Sequence, residues 1–180
     1  TYSQTTQPFF CYLAFNIPHT PFQVPDQFYE KFRNRTIDMM ATDPTQENVD
    51  RTRAALALCE NIDWNVGRLL EQLDRLGITD DTLIFYFGDN GPNGARWNGE
   101  MKGVKGSTDE GGVRVPGLMR WPSEIPAGTQ IQQISSGIDL LPTLTDLTSI
   151  NLIGHKPLDG RSLKPLLYGQ DTDWPERLIF

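Results

Sequence analysis

The sequence predicts an α/β domain, with a mixed, largely parallel central sheet flanked by helices. Three observations carry this expectation. Residues 8–16, "PFFCYLAFN", form an uncharged apolar and aromatic run, the pattern of a strand buried on both faces. Leu83 to Phe87, inside "TLIFYFGDNG", repeat that pattern. Between them lies a long stretch of helical periodicity, and buried strand, loop, long helix, buried strand is the α/β rhythm.

The elements follow in order. After the first strand, "IPHTPFQVP" places three prolines in nine residues, which dictates an irregular loop. A short helix is expected from Asp26 to Phe32, then a polar loop. The main helix should span about 48–76, where Ala55, Leu58, Ile62, Val66, Leu69, Leu70, Leu73 and Leu76 recur at three- and four-residue spacing along one stripe. Gly77 is placed to cap its C-terminus. "TDDT" turns the chain into the second strand, 82–87. Residues 92–112 are rich in glycine and poor in apolar periodicity, so they form a long excursion, and such excursions within compact domains are usually functional. "VPGLMRWP" reads as a third strand. "SSGIDLLPTLTDLTS" reads as a strand end leading into a helix started by Asp139, and "HKPLDGRSLKPLLYG" as a loop and a short helical turn. "PERLIF" has the look of a strand being entered, and the opening "TYSQTTQPFF" has neither Met nor signal peptide, so both ends read as cut.

Composition narrows the classes. The 180 residues carry a formal charge of −7, against the basic face that a nucleic-acid partner wants. With 38% hydrophobic and 22% charged residues the chain is of globular composition. It contains no run of about 18 apolar residues, so no membrane-spanning helix is expected. Cys11 and Cys59 give no disulfide framework and are expected as buried free thiols.

In open α/β sheets ligands collect beyond the carboxyl ends of strands. Asn16 and His19 follow the first strand, Asp89 and Asn90 the second, and Lys105, Glu110 and Arg114 lie in the excursion after it. Asp89 and Asn90 together supply a carboxylate and an amide oxygen, ligand types suited to Ca²⁺ or Mg²⁺. Neighbours on a strand point to opposite faces, so both reach one ion only where the strand has ended, and Gly88 and Gly91 allow that bend. The same dipeptide also suits a plain Asx turn. Counting from Asp89, the positions of Asn93, Gly94 and Glu100 partly match an EF-hand loop, but Gly91 leaves its third position without a ligand, and the segment entering is a strand. His19, between Pro18 and Pro21, suits a structural role as well as a chemical one. "KGVKGSTDEGG" sets Lys102 and Lys105 among glycines that could surround an oxyanion. Glu110 and Arg114, four apart, could simply pair with each other.

Taken in order, "FFCYLAFNIPHTPFQVP", "NIDWNVGRLLEQLDRLGITDDTLIFYFGDNG", "KGVKGSTDEGGVRVPGLMRWP", "IDLLPTLTDL" and "LDGRSLKPLL" resemble the sulfatase family of the alkaline-phosphatase-like superfamily, from about residue 8 to 180. The resemblance implies an alkaline-phosphatase-like fold, here incomplete, with residues 1–180 forming part of a catalytic domain. It implies that Asp89 and Asn90 ligate a divalent cation, usually Ca²⁺ with Mg²⁺ as the substitute, and that His19 and Lys105 contact the sulfate or the leaving ester oxygen. Lys102 would be exposed, Glu110 and Arg114 would pair as scaffold under the loop, and His155 would lie near a variable loop.

One departure is plain. Sulfatases use a formylglycine made from the Cys or Ser of a C/S-x-P-x-R motif, and neither "CYLAF" at Cys11 nor "CENID" at Cys59 fits it. The resemblance therefore implies a nucleophile outside this chain, in an N-terminal part, with a C-terminal subdomain also absent. It implies a sulfated small molecule or carbohydrate as substrate, and a secreted, periplasmic or lysosomal setting for the whole protein. Similar parts serve phosphate esters, so a phosphodiesterase or phosphonate hydrolase of the same superfamily stays open, as does a non-catalytic module that keeps the fold. The unpaired sheet edge expected of an incomplete domain points to self-association.

Overall fold

The chain is described by a computed structural model over residues 7–170 and 173–179. It divides into two compact units, Thr1–Met119 and Arg120–Phe180.

The first unit is built around two helices. Helix α1, Asp26–Arg33, starts immediately after Pro25, with Asp26 at its positive end and Lys31 and Arg33 near its negative end. Helix α2, Val49–Leu76, is 28 residues long. It starts where the Asn48 side chain accepts a hydrogen bond from Arg51 N at 2.9 Å. It stops at Gly77, which takes the left-handed conformation at φ 67° and returns its N–H to Asp74 and Leu73. Phe28 and Phe32 of α1 bury themselves on Ala57 of α2, with Val24 and Tyr29 at the margin. Phe28 also meets Trp64 edge to face, the ring centres 5.8 Å apart. An exposed ion pair between Lys31 and Glu60 lies alongside.

Strand β1, Ile84–Phe87, pairs with strand β2, Gly117–Arg120, in a two-stranded sheet. Between them the glycine-rich excursion ends in a single helical turn, α3, Glu110–Val113. The second unit has helix α4, Leu140–Thr148, entered through a 3₁₀ turn at Gly137–Asp139, and the short helix α5, Lys164–Leu167. Thr143 Oγ1 joins these segments, donating to Asp139 O at 2.6 Å and accepting from Leu163 N at 2.9 Å.

Several expectations change. Residues 8–16 form no strand among the described residues, and Phe10 and Tyr12 are 83% and 73% exposed. A strand exists only by pairing, and this run has no paired neighbour here. Instead Leu13 and Phe15 lie against the C-terminal half of α2, lining an open hollow of about 450 Å³ with Arg68, Leu69 and Arg75. Residues 175–179 likewise form no strand, and Phe180 lies outside the described residues. Both cysteines are exposed rather than buried, Cys11 because its run is unpaired and Cys59 because it lies off the buried stripe of α2. Among the described residues no helix is long and apolar enough to cross a membrane.

Candidate active site

Strand β1 delivers the acid–amide pair. Phe87 is the last strand residue, and Asp89 and Asn90 follow in a bend, the first exposed and the second half-buried. Asn90 donates through Nδ2 to Gly91 O at 2.9 Å, which leaves its amide oxygen without a donor among the described residues. The Asp89 carboxylate makes no hydrogen bond or ion pair among them either. The Asx-turn alternative needs one of these oxygens to accept from the backbone just ahead, and neither does. Two unengaged hard oxygens at the end of one strand suit a cation such as Ca²⁺ chemically. Among the described residues no group of three or more His, Cys, Asp and Glu gathers to complete a metal shell.

The glycine-rich excursion folds back onto the same strand end. Gly91 N donates to Gly112 O at 2.9 Å, Lys105 N to Pro92 O at 2.9 Å, and Gly111 N to Lys102 O at 2.7 Å. Asn98 braces the interior, its Nδ2 donating to Met101 O at 2.8 Å and Gly103 O at 3.0 Å. The crossing is so close that a Cβ on Gly91 would sit 1.9 Å from Gly111 O. Glycine is the residue that fits there. The backbone of Lys105 is thus anchored two residues beyond Asn90.

The two lysines of the loop differ. Lys102 pairs with Asp109 at 3.1 Å. The Asp109 carboxyl is held below its ordinary value by the hydrogen bond from Ser107 first and by Lys102 second. Lys105 is exposed, and its ammonium makes no ion pair among the described residues. Glu110 and Arg114 pair at 3.1 Å, yet both stand in solvent rather than under the loop, because α3 is one turn long and its outer face is uncovered.

His19 lies in the proline-rich loop and is exposed. Its Nδ1 is 2.7 Å from Thr20 O, and because a carbonyl only accepts, Nδ1 carries the proton. Nε2 is the ring nitrogen left free of that bond. The loop meets the excursion where the Arg96 guanidinium lies over the Phe22 ring, 5.6 Å from its centre. Arg96 is invisible in the sequence, because a lone arginine among glycines carries no periodic or motif signal. His155, in the second unit, is exposed with its Nδ1 2.6 Å from Lys156 O. Asn16 is exposed at the end of the unpaired run.

A half-buried strand that follows a long helix in the chain, ends in an acid and an amide, and is met there by a clasped glycine loop is the arrangement expected of an α/β domain of the alkaline-phosphatase-like class. The crystal structure of Ps i-CgsB in complex with k-i-k-neocarrahexaose superimposes with a TM-score of 0.77 at 33% identity, over 94% of this chain and 35% of that one. A structure bound to its substrate D-glucosamine-2-N,6-O-disulfate gives 0.57 at 29% identity, over 70% of this chain and 25% of the other. Among curated proteins, steryl-sulfatase of Rattus norvegicus is 42% identical over 131 residues, 67% of this chain and 23% of its own length. N-acetylgalactosamine-6-sulfatase of Canis lupus familiaris is 34% identical over 176 residues, 94% of this chain and 30% of its own length. The sulfatase family model matches residues 1–150. This chain belongs to the sulfatase family. It spans about a quarter of the length of the curated relatives it matches.

Proposed function

We propose that this chain contributes one side of the active site of a sulfuric ester hydrolase, acting on a sulfated small molecule or carbohydrate. The observation that carries the reading is the unengaged Asp89–Asn90 oxygen pair with Lys105 anchored beside it through Pro92. Asp89 and Asn90 would hold a divalent cation, Ca²⁺ in the first instance, which supplies Lewis-acid polarisation of a sulfuryl oxygen when bound. Ca²⁺ takes six to eight oxygens, so two ligands hold it weakly, and the remaining ones come from outside these 180 residues. The same holds for the nucleophile, a formylglycine, since no C/S-x-P-x-R stands in this sequence.

The residues of this chain have separate tasks. Cleavage of a sulfate ester builds negative charge on the sulfuryl oxygens and on the leaving oxygen. The Lys105 ammonium, with no ion-pair partner among the described residues, stabilises the charge as it develops. The imidazole of His19, its tautomer set by Thr20 O, presents the nitrogen that, once protonated, hands a proton to the leaving oxygen. Such proton transfer is worth about 10² to 10⁴ in rate. The sulfated sugar bound by the glucosamine-disulfate structure supports a carbohydrate sulfate as substrate here.

The test is made in the full-length protein. Asp89→Ala should lower turnover of an aryl sulfate by about 10³-fold or more and abolish Ca²⁺ binding by calorimetry, whereas Lys105→Ala should lower turnover by about 10²–10³-fold with Ca²⁺ binding kept. Near-normal turnover by Asp89→Ala overturns the metal assignment. A preference for aryl phosphate over aryl sulfate overturns the reaction assignment. The 180-residue chain alone should be inactive and bind Ca²⁺ more weakly than micromolar.

A further inference from the structure

We propose that Arg96 is a positioning residue that fastens the His19 loop to the glycine-rich excursion carrying Lys105. The proposal rests on the sulfatase reading of His19 and Lys105 given above.

Arg96 is half-buried and touches both segments. Its guanidinium lies over the face of Phe22, three residues beyond His19 in the same proline-rich loop, at 5.6 Å from the ring centre. Its Nη2 donates to Asn93 O at 3.2 Å, within the excursion. Its Nε is buried with no hydrogen-bond partner among the described residues. Burial pulls its basicity below the ordinary arginine value, against the neighbouring Cys59 and Glu47, which raise it, and with Arg51, which lowers it. Cys59 and Arg51 belong to α2, and Glu47 lies one residue before its N-cap, Asn48. Glu47 is itself tied down, accepting from Met40 N at 3.0 Å, Ala41 N at 3.1 Å and Thr52 Oγ1 at 2.9 Å. One cation therefore sits where the His19 loop meets the excursion.

This placement has a consequence for chemistry. An exposed imidazole on a proline-rich loop keeps its aim only if the loop is held, and the His19 ring hydrogen bond goes to its own neighbour, Thr20. The ring of Phe22 is the loop's grip on the excursion, and the planar guanidinium is what it grips. Misplacement of a reacting group by about 1 Å costs on the order of 10² in rate. Loss of the clasp should therefore lower kcat while the substrate's own contacts, and hence KM, stay in place.

Steady-state kinetics on an aryl sulfate with the full-length protein test this. Arg96→Gln and Phe22→Leu should each lower kcat by about 10–100-fold, with KM within about threefold. Arg96→Lys should recover part of the loss. The double variant should be no worse than the weaker single, because both remove one contact. Unchanged kcat, multiplying effects in the double variant, or a rise in KM alone, which makes Arg96 a substrate contact, each overturn the proposal. If Arg96→Gln does not fold, Phe22→Leu decides by the same kcat criterion. If the wild-type protein does not turn over aryl sulfate, the sulfatase reading fails by itself. Hydrogen exchange over residues 17–24 then decides the clasp: faster exchange in both single variants supports it, and unchanged exchange overturns it.

Discussion

Asp139 organises much of the second unit through a single carboxylate. It is fully buried, accepts from Ser136 N at 2.8 Å and Arg161 N at 2.9 Å, and forms a two-armed pair with Arg177. Burial pushes its pKa up, but the hydrogen bond of Arg177 and the two backbone donors outweigh that and hold it below the ordinary value. A folded-state pKa below the unfolded one contributes stability that is present above about pH 4 and lost as pH falls through the folded value. Asp139→Asn should cost about 3 kcal/mol near neutrality, since it leaves Arg177 buried without a counter-charge. Denaturant titrations from pH 6 to pH 3 check this: the advantage of the wild type should shrink below about pH 4, and a constant gap would sink the account. At the same scale the candidate site was half legible. Asp89 and Asn90 could be read because an uncharged apolar run stops at a polar pair flanked by glycines. Arg96 could not, because its importance lies in Phe22, 74 positions earlier, and no local pattern encodes that contact.

Helix α2 is the element on which the first unit depends. Two independent sequence signals agree on it, the apolar stripe and Gly77 after it, and where local signals agree the sequence specifies the element; the structure adds Asn48 as its N-cap. Leu58 is at the centre of its buried stripe and fully inaccessible to water. Leu58→Ala should therefore destabilise the chain by about 2–5 kcal/mol, removing transfer energy and leaving a cavity. The exposed Leu56, two positions away on the opposite face, should tolerate the same change with less than about 1 kcal/mol of loss. Urea denaturation of the two variants separates these outcomes, and equal losses would show that the stripe is misassigned. The run 8–16 is the contrary case. Its composition is that of a buried strand, but composition supplies only propensity, and propensity for strand is realised by cross-strand neighbours. The excursion from 92 to 112 falls between these extremes: its length marked it as functional, while its crossing with Gly91 at Gly111 and Gly112 depends on backbone atoms that sequence patterns do not report.

At the scale of the whole molecule two opposed surface properties decide its solution behaviour. A net charge of −7 keeps copies apart. Phe9, Phe10, Tyr12, Leu13 and Phe15 form one continuous exposed apolar segment that favours bringing them together. Burying a fully exposed side chain of this kind is worth roughly 1.5–3 kcal/mol, and these side chains, 45% to 83% exposed, each retain about half or more of that. Their combined gain is comparable to the roughly 4–15 kcal/mol that association costs in lost freedom. With these terms close to balance, the charge term decides, and it is the one that salt controls. Between about 0.01 M and 0.1 M salt the screening length falls from about 30 Å to about 10 Å. The 180-residue chain should therefore be mainly monomeric at the lower ionic strength and associate at the higher one, as followed by light scattering at fixed protein concentration. Phe10→Ser combined with Tyr12→Ser leaves the charge at its original value while removing the two most exposed rings of the segment, so that variant should remain monomeric under both conditions. A wild-type chain that stays monomeric as salt rises would show that the apolar segment is too weak to drive association. Equal association by the double-serine variant would place the contact elsewhere on the surface.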